Sequence, residues 1–172
     1  MRKILLFMLF IASIGYSQQF KYNEEGVINQ EVIREVPYSI NEIEQRVSNW
    51  VQFNYKNPNL VTTGNVENEF LRFNGMVDYG VENVGMGVLA PFKLFYTFRT
   101  DFKDGKYKLT LEQANFTYDS NGVISKQKVK GGRKLKDAYA KFYDNVIIDL
   151  NSIEKSLFDY VSGNKELTSD DW

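Results

Sequence analysis

Six cationic side chains crowd one stretch towards the C-terminus: Lys126, Lys128, Lys130, Arg133, Lys134 and Lys136. If that stretch is extended, the first three share one side, because alternate side chains point to opposite faces. Such a side could touch an anionic surface, lipid headgroups or glycan. A solvated edge that lysines keep from pairing is the plainer reading. Two carboxylate pairs, Glu67/Glu69 and Asp101/Asp104, have the residue types for general acid–base work. That chemistry needs convergence in a cleft and tuned acidities, and solvated turns and strand faces account for these residues without it. Gly85-Met86-Gly87-Val88-Leu89-Ala90 has the glycine spacing of a dinucleotide-binding turn. Such a turn must open a helix, whereas Pro91 and a strand follow here, so a flexible loop is expected. Asp119-Ser120-Asn121-Gly122 lacks the further ligands of a calcium loop and reads as a turn. Asn115-Phe116-Thr117 is a glycosylation sequon, with a consequence only in a host that uses it.

A different signal comes from apolar side chains where solvent is expected. Phe70, Met76 and Phe95 stand on the nominal outer faces of alternating strands. With Arg72 and Arg99 they define a candidate interaction surface, since exposed apolar patches mark partner sites. Lys126, Lys128, Lys130, Arg133 and Lys134 are the candidate anionic-surface contact.

Composition narrows the chemistry further. The chain has 172 residues, with no cysteine and no histidine. Disulfides, thiol nucleophiles, Ser-His-Asp triads and histidine zinc sites are excluded. The balance of 21 basic against 22 acidic residues argues against nucleic acid as a partner. No catalytic constellation, cofactor or metal site is expected, and the reading leans away from an enzyme. Residues 1–17 read as a signal peptide: Arg2 and Lys3, then the apolar run Ile4 to Ala12, then small residues at Gly15 and Ser17. The run is shorter than the ~20 residues a bilayer span needs, and no cysteine follows it to carry lipid. The expectation is an exported, periplasmic or secreted protein, neither a lipoprotein nor an integral membrane protein.

The positioning elements follow from periodicity. Gln18 to Glu25 is expected to be a flexible N-terminus. Gly26 to Val36 is β-branched and roughly alternating, with Arg34 intruding on the face of Val32 and Val36. Pro37 ends that strand. Ser39-Ile40-Asn41-Glu42 is a capping box, and Ile43, Val47, Trp50 and Val51 give a helix whose tryptophan belongs to the core. Leu60 to Asn65 reads as a short strand. Phe70 to Val81 alternates clearly, with a bulge or bend expected at Gly75. Gly80 to Ala90 reads as a mobile glycine-rich connection. Pro91 to Lys103 is a strand, and Asp104-Gly105 is a hairpin turn. This turn sets Phe102 opposite Tyr107, Thr100 opposite Leu109, Phe98 opposite Leu111, Asp101 opposite Lys108 and Thr97 opposite Glu112. From about Leu135, the recurrence Tyr139, Phe142, Val146, Leu150, Ile153, Leu157 and Val161 gives a long helix that stops at Gly163. Residues 164–172 form an acidic tail, which leaves 26–163 as one domain.

Strands in a run with separate helices imply an α+β domain with an antiparallel sheet. The segment Val36-Pro37-Tyr38-Ser39-Ile40-Asn41-Glu42-Ile43, the helix with Trp50, Asn74-Gly75, and Asp104-Gly105-Lys106-Tyr107-Lys108 resemble the DUF4468 family over roughly residues 26–120. These are small exported proteins common in Bacteroidota. The resemblance implies a TBP-like fold, β-α-β-β-β-β-α, with both helices on one face of a curved antiparallel sheet; it implies no activity, and a fold does not carry one. The leading expectation is a non-enzymatic binding or structural module of the cell envelope acting through the open sheet face, on an envelope protein or on a second copy. One alternative is a carrier of a small apolar lipid or metabolite, with a cavity lined by Tyr96, Phe98, Tyr107 and Tyr139. Another is a carboxylate hydrolase.

Overall fold

The computed structural model describes residues 19–116 and 132–164. The elements are β1 (Glu31–Glu35), α1 (Ile40–Asn54), the single turn α2 (Pro58–Val61), β2 (Thr62–Val66), β3 (Phe70–Gly85), β4 (Val88–Lys103), β5 (Lys106–Phe116) and α3 (Arg133–Val161). They form one five-stranded sheet in the order β1-β5-β4-β3-β2, antiparallel throughout. The expected α+β order is observed, with α2 added ahead of β2 where a strand from Leu60 was expected.

The alternation of β3, β4 and β5 decides which face is covered. Leu71, Phe73, Phe92, Leu94, Phe98, Phe102, Leu109 and Leu111 are buried on one side. Ile43, Val47, Trp50 and Val51 of α1 and Phe142, Val146, Leu150, Leu157 and Val161 of α3 close over them. Trp50 is a core residue whose Nε1 donates to Ser156 Oγ at 3.2 Å, joining the two helices.

The expected capping box at Ser39 is half made. Ser39 Oγ accepts from Glu42 N–H at 3.4 Å, but the Glu42 carboxylate turns to Arg46 at 3.0 Å. A second cap comes from across the chain: Ile40 N–H donates to Asp104 Oδ1 at 2.8 Å. The hairpin turn therefore holds the start of α1.

Four expectations are corrected. The strand expected from Gly26 begins at Glu31; Gly26 sits at φ 77° in a tight turn closed by a bridge between Tyr22 and Ile28. The segment expected to be loose before it is docked, for Phe20 is buried and its backbone N–H and C=O both bond the Asn151 amide, at 2.8 and 2.9 Å. Of the bulge or bend expected at Gly75, the bulge is absent, for no register shift falls there. Gly75 pairs with Tyr96 and lies under that ring, so that a Cβ there would sit 2.1 Å from the Tyr96 hydroxyl oxygen.

The fourth correction is the largest. Gly80 to Ala90 is the outer end of a hairpin whose strands run sixteen residues each. Met86 and Gly87 form its turn at φ 53° and 77°, the left-handed pair that matches the twist of flanking strands. Bulges between Asp78 and Val81 and between Asn83 and Gly85 absorb one extra residue each.

Candidate functional site

The β4–β5 hairpin follows the expected register from Phe102–Tyr107 to Phe98–Leu111. A bulge then shifts it, and Thr97 pairs with Gln113 instead of Glu112. The cause is visible in the sequence: strict alternation would turn Gln113 inward, whereas the shift places Ala114 opposite Tyr96 and Phe116 opposite Leu94.

This register makes the uncovered face readable row by row. Phe70, Arg72 and Met76 of β3 lie beside Asp101, Arg99 and Phe95 of β4. The five residues of the expected interaction surface therefore share one face, but they divide into two kinds. Arg72 and Arg99 are engaged within the sheet. Arg72 Nη2 donates to Glu112 Oε1 at 3.0 Å; its Nε lies 2.6 Å from Oε2, an ionic contact too poorly aligned to be a hydrogen bond. Arg99 bonds Asp101 at 2.7 Å and lays its guanidinium 4.0 Å from the centre of the Phe70 ring, a favourable cation–π geometry. Phe70 is thereby half-buried. Lys108 reaches Glu31 at 3.1 Å and Asp101 at 3.8 Å.

Met76 and Phe95 are the second kind. They are direct cross-strand partners, 51% and 44% exposed. Towards the hairpin tip the same face continues, past the Asp78–Lys93 pair at 2.9 Å, to Val81 and Leu89, 61% and 63% exposed. Sequence reasoning missed Leu89 because the glycines hid the continuing alternation; strict alternation places Val81 on the face of Leu71 and Phe73, and the bulge between Asp78 and Val81 turns it outward instead. The signal was present as Met86-Gly87 with valines at 81, 84 and 88 on either side.

Of the anionic-surface candidates, Lys126, Lys128 and Lys130 lie outside the described residues, as do residues 1–17 and the Asp119 turn. Arg133 and Lys134 are exposed on the first turn of α3, with Arg133 paired to Asp137 at 3.7 Å.

Of the rings expected to line a cavity, Tyr107 is buried in the core and the other three pack on rings. Phe98 meets Phe20, Phe73 and Tyr96 at 5.3–5.7 Å, and Tyr139 meets Phe92 and Phe116 at 5.4 and 5.5 Å. Tyr55 and Tyr96 share a hydrogen bond of 2.9 Å between their hydroxyls. Burial raises the pKa of both, and each remains protonated at neutral pH. Burial does the same for Tyr79, with the Asp149 carboxylate adding to it. Among the carboxylates considered for catalysis, Asp101 is ion-paired and Asp104 caps α1. Among the described residues no three Asp or Glu gather as metal ligands would, and no helix is long and apolar enough to cross a membrane.

Residues 30–118 match the model of a domain of unknown function, DUF4468, with a TBP-like fold. A crystal structure of a TBP-like protein from Parabacteroides distasonis ATCC 8503 is similar with a TM-score of 0.53 at 12% identity, over 80% of this chain and 97% of that one. At that identity the likeness speaks for the fold alone. A DUF4468 family protein from Bacteroides ovatus ATCC 8483 is similar with a TM-score of 0.45 at 17% identity, over 84% of this chain and 91% of that one. No curated protein matches the sequence.

Proposed function

The chain belongs to the DUF4468 family, and from that premise we propose that it is a non-enzymatic binding or structural module of the cell envelope, acting through the open face of its sheet. The observation that carries this reading is the Met76–Phe95 pair, exposed on the uncovered face and continued by Val81 and Leu89. Fully burying such side chains is worth about 1.5–3 kcal/mol each, enough for four of them to anchor an interface. The partner is an envelope protein or a second copy of the chain. Export rests on the pattern of residues 1–17, and the mature protein is periplasmic or secreted without a lipid anchor.

The double substitution Met76→Ser with Phe95→Ser tests the reading. Neither side chain belongs to the core, so the far-ultraviolet circular dichroism should not change. Self-association by sedimentation, or retention of a partner from envelope extracts, should fall at least tenfold. If both persist unchanged, the open face is not the working surface. Phe70 is the poorer target, because it also supports Arg99.

A further inference from the structure

The open face is hollowed between β1, β5 and β4 at the end opposite the apolar stripe, with a volume of about 520 Å3. Arg99, Lys103, Lys106 and Lys108 line the hollow, against Glu31 and Asp101. Both carboxylates are engaged, Glu31 by Lys108 and Asp101 by Arg99 and Lys108. Asp104, next to Lys103, is committed to the backbone of α1. This leaves Lys103 and Lys106, both exposed and directly opposite one another in the register. Glu35 faces Lys106 from β1, yet no ion pair forms there, and none forms at Lys103 among the described residues. Like charges set directly across two antiparallel strands repel. The floor adds the Thr110 hydroxyl, buried without a hydrogen-bond partner, and the half-exposed side chain of Ile33.

We propose that this hollow binds a phosphate monoester, with the phosphate between Lys103 and Lys106 and the body of the ligand against Ile33. A phosphate monoester carries about −1.5 to −2 charges near neutral pH, so one group neutralises both lysines. Lysine ammonium groups act as point charges and impose no planar geometry. The one guanidinium in the hollow is stacked on Phe70 and held by Asp101, so the forked recognition that favours planar carboxylates is already occupied. The monoester could come from a soluble sugar phosphate or from a phosphatidic acid headgroup. This site is independent of the Met76–Phe95 surface, and its failure leaves that reading standing.

The test titrates the full chain with glucose 6-phosphate, with inorganic phosphate, and with phosphatidylcholine vesicles containing or lacking phosphatidic acid. Glucose 6-phosphate should raise the melting temperature saturably, as any ligand of the folded state does. The double variant Lys103→Gln/Lys106→Gln should weaken binding about tenfold or more, while Lys56→Gln, outside the hollow, stays within about twofold. Sedimentation with phosphatidic acid vesicles that the double variant loses assigns the lipid source; glucose 6-phosphate binding without such sedimentation assigns the soluble one. The proposal is overturned if no probe gives a saturable response, or if the response survives the double variant. Inorganic phosphate binding as tightly as glucose 6-phosphate overturns the part given to Ile33.

Discussion

Arg34 and Arg72 each hold a glutamate oxygen 2.6 Å from Nε, one pair beneath α3 and the other on the open face. The first is a fork on a fork: Arg34 Nε and Nη2 meet Glu154 Oε1 and Oε2 at 2.6 and 2.7 Å, with the side chains 12% and 2% exposed. The second has one aligned hydrogen bond, and its side chains are 36% and 26% exposed. Arg34 also lies over the Phe158 ring at 4.8 Å, and its hydrogen bond to Glu154 raises its pKa against the opposing effect of burial. The same two residue types at the same distance thus work under different rules. Under the helix, water cannot compensate a lost partner. On the open face it can.

That contrast breaks most easily at Glu154. Glu154→Gln takes the bidentate carboxylate from a buried guanidinium and should destabilise the fold by about 3–5 kcal/mol in urea unfolding. Replacing the pair together, Arg34→Met with Glu154→Leu, should recover most of that loss. A cost under about 1 kcal/mol for Glu154→Gln would mean that the two faces do not differ as described. Gly75 comes next, since it reports on the covered face without charge. Gly75→Ala puts a methyl group into the Tyr96 ring and should cost about 1–3 kcal/mol, together with the Tyr55–Tyr96 hydrogen bond, which tyrosine hydroxyl signals in NMR would report. The smallest effect sharpens the other side: a double-mutant cycle on Arg72→Ala and Glu112→Ala should give a coupling below about 1 kcal/mol, shrinking further in high salt.

The arginine on β1 also shows how far the sequence could be read. Arg34 broke the apolar face of Val32 and Val36 and weakened the expectation of a strand there. β1 accommodates Arg34 because Glu154, on the same buried face of α3 as Leu150 and Leu157, meets it. A 3.6-residue pattern flags Glu154 as an interruption in the α3 stripe, but nothing local says that two interruptions 120 positions apart will cancel. The Asp104 turn is similar. Its glycine announced the hairpin, while its carboxylate's role as a cap for α1 came only with docking. The candidate surface was legible in part: alternation puts Met76 and Phe95 on the right face, whereas it puts Val81 on the inner face until the bulge after Asp78 reverses it, and Leu89 is concealed by the glycines of a segment that reads as loop.

Sequence by itself determined the elements whose signals are local: the helix face with Trp50, the long stripe of α3, and the Asp104-Gly105 register as far as Leu111. Periodicity and turn chemistry act over a few residues, so neighbours along the chain suffice to specify them. Tertiary structure alone decided the bulge after Leu111, the extension of β3 and β4 to Met86, the docking of Phe20 on Asn151, and the burial of Arg34 with Glu154. Each depends on what a residue meets across the sheet or under a helix, and the free energy of that meeting is set by the water it excludes.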